Sequence, residues 1–176
     1  MHDADLVTAF RNGRKEAFDE LVRRYAKPLT LMILRMVRDE EEAKDLSQAA
    51  FLKAYQGLPR FMRASSFKTW LWSIGINAAK DHLRKRKHES DAEVTDHLED
   101  PAESPAEQLD SARNSARLRK LVAELPEKQR LTLQLRVYEG MDYKAIATVL
   151  GGSEGGARVN FFQAAKTLRE KLGSEP

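Results

Sequence analysis

The chain has 176 residues, 41% of them hydrophobic and 32% charged, with a formal net charge of +3; that is length for one ordinary domain or two small ones, and apolar content for packed cores. It has no cysteine, which excludes disulfides, thiolate zinc sites and cysteine nucleophiles and fits an intracellular protein. No apolar run approaches the roughly 20 residues of a membrane span, and the opening MHDADLVTAF lacks the pattern of a secretion signal, so the expectation is a cytoplasmic protein with no direct membrane insertion.

Helical periodicity is nearly continuous through the first half. Ala4 to Arg11 predicts a short helix stopped by Asn12-Gly13. Glu16 to Arg38 follows, with Phe18, Leu21, Val22, Tyr25, Leu29, Met32, Ile33 and Met36 as a wide apolar stripe; Pro28 is expected to kink it or mark a new start. Asp39 is a cap for a third helix that turns Ala43, Leu46, Ala50, Leu52, Ala54 and Tyr55 inward and ends at Gly57 and Pro59.

A fourth helix opens at Ser65 or Ser66, since either hydroxyl can accept from the first turn. Phe67, Leu71, Ile74, Ala78 and Leu83 recur at near-helical intervals and are expected to face a core. The opposite face carries Trp72, Asn77, Lys80, Asp81, Arg84, Lys85 and Arg86. An aromatic ring beside cations suits single-stranded nucleic acid, because every base has a stacking face and its phosphates need neutralising. Two plainer readings stand beside that one. Trp70 and Trp72 are two apart and cannot share a helical face, so at least one belongs to the core. The run from Arg84 to Lys87 is equally a solvated helix end complementing the macrodipole.

Between Glu89 and Asp110 lie nine acids and no Lys or Arg, so two basic bodies are joined by an acidic strap that includes Pro101 and Pro105. Such asymmetry points to polyanion binding by the bodies, and the composition reads as a flexible linker. Beyond it, Ser111 to Leu125 predicts a helix, Pro126 opens another that ends near Tyr138, and Glu139-Gly140 turns the chain. Asp142 caps a short helix with Tyr143, Ile146, Ala147, Val149 and Leu150 inward; Gly151-Gly152 turns again, and Ser153 caps a last helix to about Leu172. A short helix, a tight glycine turn and a longer helix form either a helix-turn-helix, whose final helix enters a major groove, or a plain helical hairpin. On the last helix Ala157, Phe161, Ala164 and Leu168 take the inward spacing, leaving Arg158, Asn160, Phe162, Gln163 and Lys166 outward. The expected fold is all-α: two small helical domains, 1–88 and 111–176, joined by an acidic linker, 89–110.

Nothing in the pattern supports an enzyme. His2, His82, His88 and His97 are scattered, and the GGSEGG run at 151–156 lacks the lysine of a phosphate-binding loop and follows a helix. No cofactor, metal or small-molecule substrate is expected.

Three motifs in this order, DLSQAAFLKAY at 45–55, SFKTWLWSIGINAAKDHLRKR at 66–86 and LPEKQRLTLQLRVYEGMDYKAIATVLGGSEG at 125–155, make nearly the whole chain resemble the small extracytoplasmic-function (ECF) sigma factors of bacterial RNA polymerase. The resemblance implies a region 2 helical bundle, a region 4 helix-turn-helix, and as partners the polymerase core through its clamp helices and flap, promoter DNA and an anti-sigma factor. It makes Asp45, Gln48, Phe51 and Leu52 contacts to the core enzyme; where the family commonly has an acid after the glutamine, this chain has Ala49. It makes the loop from Phe61 through Ser65 and Ser66 the holder of an extruded base of the -10 element, with Trp72, Asn77, Lys80, Asp81, Arg84, Lys85 and Arg86 along the strand or upstream duplex. Among these Asn77 suits a base edge, its amide donating and accepting together, and the cations suit phosphates. It makes the last helix the -35 reader. Family members usually carry several Arg or Lys there, whereas this chain has Arg158, Asn160, Phe162, Gln163 and Lys166. Amides and an apolar ring can read base edges with fewer phosphate anchors, or the exposed Phe162 marks a protein-binding surface. An adaptor that binds polymerase or a regulator without starting transcription, and a stand-alone helix-turn-helix regulator, are the alternatives.

Overall fold

The computed structural model describes residues 1–62, 64–89 and 109–173, of which 109–113 by their backbone alone. The described residues are all-α and fall into two compact units, one before and one after residues 90–108. The acidic strap at 89–110 therefore lies almost entirely outside the described residues.

The first unit contains α1 (Asp3–Arg11), α2 (Glu16–Val37), α3 (Glu40–Gly57), a 3-10 turn (Leu58–Arg60) and α4 (Phe67–Glu89). Helix α2 runs unbroken through Pro28, without the new start that the proline suggested. An interior proline costs about 3 kcal/mol, but Leu21, Leu29, Met32 and Ile33 on either side of it are fully buried, and each such side chain contributes roughly 1.5–3 kcal/mol. Asp39 caps α3 as expected, its carboxylate accepting from Glu42 N at 2.8 Å. Phe10, Phe18, Phe51 and Tyr55 form a ring cluster, with Phe18 edge-on to Tyr55 at 5.2 Å.

Helix α4 buries Phe67, Leu71, Trp72, Gly75, Ile76 and Ala79. The stripe is rotated from the expected one, and Ile74, Ala78 and Leu83 are only half-buried. Gly75 explains the rotation: a Cβ there would stand 2.8 Å from Leu29 Cδ1, so the glycine lets α4 approach α2 and turns the flanking Trp72 and Ile76 inward.

Tyr25 ties α1 to α2 by donating its hydroxyl to Asp3 Oδ2. Burial first, and this bond to Asp3 second, push its ionisation well above the ordinary value of 10.0. A tyrosine raised in this way contributes stability that is complete below the unfolded value and declines as pH rises through the folded one. Thermal melting should therefore drop more steeply above pH 10 in the native chain than in Tyr25→Phe.

The second unit contains α5 (Leu109–Ala123), α6 (Glu127–Val137), α7 (Tyr143–Leu150) and α8 (Glu154–Gly173). Its core is Leu125, Leu131, Leu135, Met141, Ile146, Val149, Ala157, Ala164 and Leu168. Pro126 is the residue before α6 and not its first. The two turns are made where the glycines fall: Gly140 has φ +64°, Gly151 +73° and Gly152 +131°, backbone angles that side chains resist. Asp142 Oδ1 accepts from Ala145 N at 2.7 Å and Ser153 Oγ from Gly156 N at 3.0 Å, so both expected caps form.

Candidate nucleic-acid interface

Ser66, not Ser65, begins α4: its Oγ accepts from Thr69 N at 3.0 Å. Beyond this cap, Asn77, Asp81, Arg84, Lys85 and Arg86 are exposed and Lys80 is half-buried; Asn77, Lys80, Asp81, Arg84 and Lys85 are spaced to lie on one side of α4, and Arg86 on the opposite one. Asp81 and Arg84 pair at 3.4 Å, an exposed contact weak enough for a phosphate to displace. Arg86 is drawn to Glu42 of α3 at 3.4 Å. The same carboxylate lies 2.9 Å from His82 Nε2, without hydrogen-bond geometry.

Two expected members of this face are not on it. Trp72 is 0% exposed, edge-on to Tyr25 at 5.7 Å, because it lies on the stripe that Gly75 turns toward α2. Phe61 is buried as well, stacked on Trp70 at 4.8 Å and 29°. The half-buried tryptophan beside the loop is therefore Trp70. Next to it a cleft of about 620 Å³ is lined by Phe10, Arg11, Pro59, Arg60, Phe61 and Met62. Arg11 fixes the cleft wall by donating to the carbonyls of Leu58, at 3.3 Å, and Phe61. Nothing in the sequence near Arg11 signals this role, since its partners lie some fifty residues on.

On α3, Asp45, Gln48 and Leu52 are exposed and spaced to lie on one side of the helix. Phe51 is turned the other way, buried 6.4 Å from Phe18, and is not available as a surface contact. Its place on the inner side follows from Ser47, Ala50 and Ala54, which are buried with it, Ser47 accepting from Thr30 at 2.9 Å. Leu52, expected inward by periodicity and outward by resemblance, is 59% exposed.

Helices α7 and α8, joined by the Gly151-Gly152 turn, are arranged as a short helix and a long one. Arg158, Phe162, Gln163 and Lys166 are exposed on α8, whereas Asn160 is half-buried. Asn160 is thus the least outward of the five expected readers. Arg158 is held in place twice, by Glu154 at 3.3 Å and over the Tyr143 ring at 5.1 Å; Arg136 lies over that ring as well, at 5.0 Å. Lys166 faces Glu170 at 3.8 Å. Val159, which the inward-outward sorting passed over, is 53% exposed near Phe162 in sequence, itself 60% exposed. Among the described residues no cluster of His, Asp and Glu could hold a metal ion, and no helix is long and apolar enough to cross a membrane.

A helical bundle with a cationic outer helix, followed by a unit with a turn-linked helix pair, defines the class of nucleic-acid-binding helical proteins. Residues 21–89 match Sigma-70 region 2 and residues 115–168 match Sigma-70 region 4. The chain is 37% identical to the RNA polymerase sigma-H factor of Pseudomonas aeruginosa, over 97% of its own length and 93% of the relative's. It is 31% identical to the ECF RNA polymerase sigma-E factor of Haemophilus influenzae, over 97% and 95%. The sigma factor RpoE of Bartonella quintana, solved with the anti-sigma factor NepR, shares the fold at a TM-score of 0.73 and 23% identity, over 90% of this chain and 98% of that one. The chain belongs to the RNA polymerase sigma factors, within the ECF group.

Proposed function

We propose that the chain directs core RNA polymerase to particular promoters and helps separate their strands, α4 and its preceding loop engaging the -10 element and α8 the -35 element. The observation that carries the reading is the exposed line of Asn77, Asp81, Arg84 and Lys85 on the outer side of α4, within the segment that matches Sigma-70 region 2. Asn77 reads a base edge, Arg84, Lys85 and Arg86 hold phosphates, and the cleft beside Phe61 receives the extruded base, whose lost stacking costs a few kcal/mol that the pocket must return. Asp45, Gln48 and Leu52 of α3 dock on the core enzyme. Catalysis of RNA synthesis belongs to the polymerase, and this chain acts in the cytoplasm with an anti-sigma factor as a further partner.

Run-off transcription from a promoter library, with purified core enzyme present or absent, tests the whole: specific transcripts are expected only when both are supplied. Asn77→Ala should lose roughly 1–3 kcal/mol of base discrimination, while Arg84→Ala should weaken binding to all sequences and reduce the salt slope by about one. Unchanged promoter preference in Asn77→Ala removes that residue from the reading. The exposed pair Val159 and Phe162 favours a second reading, an adaptor whose α8 meets a protein; such a chain would bind core enzyme yet give no transcript.

A further inference from the structure

Arg11, the last residue of α1, lies upstream of the segment that matches Sigma-70 region 2, yet it lines the cleft beside Phe61. Its Nε donates to the carbonyl of Leu58 at 3.3 Å and its Nη2 to the carbonyl of Phe61. The direction of both bonds is unambiguous, because a guanidinium only donates and a carbonyl only accepts. Both acceptors are held in place as well. Leu58 and Phe61 are buried, Leu58 O also accepts from Phe61 N at 3.2 Å, and the Phe61 ring is stacked on Trp70. At the other end α1 is anchored by the buried Phe10, edge-on to Tyr55 at 5.1 Å. One planar cation thus joins the first helix to the backbone of the cleft wall, where the chain leaves the 3-10 turn for Met62, 89% exposed. A loop ordered before its ligand arrives loses no further conformational freedom on binding, and binds more tightly for it.

We propose that Arg11 is a positioning residue for base capture: by clamping the carbonyls of Leu58 and Phe61 it holds the cleft in the shape that takes an extruded base. This rests on the reading of that cleft as the base receiver. The residue works through the loop backbone and is not a phosphate contact.

The test uses the full chain assembled with core RNA polymerase and the promoter that gives the most run-off transcript, made single-stranded across the -10 element, with each -10 base removed in turn. In the native holoenzyme, removal of the captured base should weaken binding about tenfold, on the scale of one stacked base. Disulfide trapping of Met62→Cys, in a chain otherwise free of cysteine, against templates with a thiol tether on one -10 base at a time locates the base that enters the cleft. Arg11→Ala and Arg11→Lys are expected to cut the tenfold penalty to about threefold or less, while binding to the template that lacks this base stays within about twofold of native. Lysine keeps the charge and loses the planar clamp, and it supplies the test if the alanine variant does not fold. Equal losses on intact and base-less templates in both variants would mean a structural role alone and overturn the proposal. An Arg11→Lys with the native penalty beside a weakened Arg11→Ala makes charge the working feature and overturns it as well. If the trapped base is the one whose removal matters and both Arg11 variants keep its penalty, the positioning role is wrong and the reading of the cleft stands. If trapping falls on no base whose removal matters, the reading of the cleft fails and the inference with it.

Discussion

Trp72→Ala is expected to remove about 3–5 kcal/mol of stability, the cost of deleting a large aromatic side chain from a core that cannot close around the gap. The ring is 0% exposed, meets Tyr25 edge-on at 5.7 Å and has the Lys68 ammonium over it at 5.1 Å. Since a domain holds only about 5–15 kcal/mol in total, urea unfolding of this variant should show a much lower midpoint with an unchanged slope. Trp72→Phe keeps the edge contact and removes an indole N–H that has no hydrogen-bond partner among the described residues; its cost should be closer to about 1 kcal/mol. Trp70→Ala, at a half-buried ring stacked on Phe61, should fall below the Trp72→Ala loss and act on the loop beside the cleft. Were Trp72→Ala to melt like the native chain and fail only in opening DNA, the tryptophan would have to be a surface ring after all.

The difference between those tryptophans marks the limit of what the residues spell out. Helix ends were legible because they are local chemistry: Asp39, Asp142 and Ser153 accept from backbone three residues on, and glycines sit where φ is positive at 140, 151 and 152. The phase of α4 was not, because two stripes fit its spacing. One runs through Ile74 and Ala78, the other through Trp72, Ile76 and Ala79, and both include Phe67 and Leu71. The choice is made by the approach of Gly75 to Leu29 of α2, a contact between residues far apart in the chain. The same is true of Phe51 and Leu52, neighbours of similar hydrophobicity. A hydrogen bond from Thr30 buries Ser47, a residue that a hydropathy pattern puts outside, and Phe51 follows it inward. Arg11 was invisible for the same reason: it acts on partners some fifty residues away.

Leu52→Glu is expected to separate folding from docking. The side chain is 59% exposed on the same side of α3 as Asp45 and Gln48, and glutamate is as good a helix former as leucine, so stability should move by no more than about 0.5 kcal/mol. Association with core enzyme should behave differently. An exposed leucine covered on docking contributes by burial, and a carboxylate in its place would have to be stripped of water against an apolar surface with no cation supplied. A loss of at least about 2 kcal/mol, on the order of thirtyfold in Kd, follows. Gel filtration or fluorescence titration against purified core polymerase measures it, and the melting curve of the same sample shows that the unit is folded. Phe51→Ala supplies the contrast, because a buried ring lost from the Phe18 cluster lowers stability first and binding only as a consequence. Native-like affinity in Leu52→Glu would move the docking surface off this side of α3, and the proposed polymerase contact at Asp45 and Gln48 would go with it.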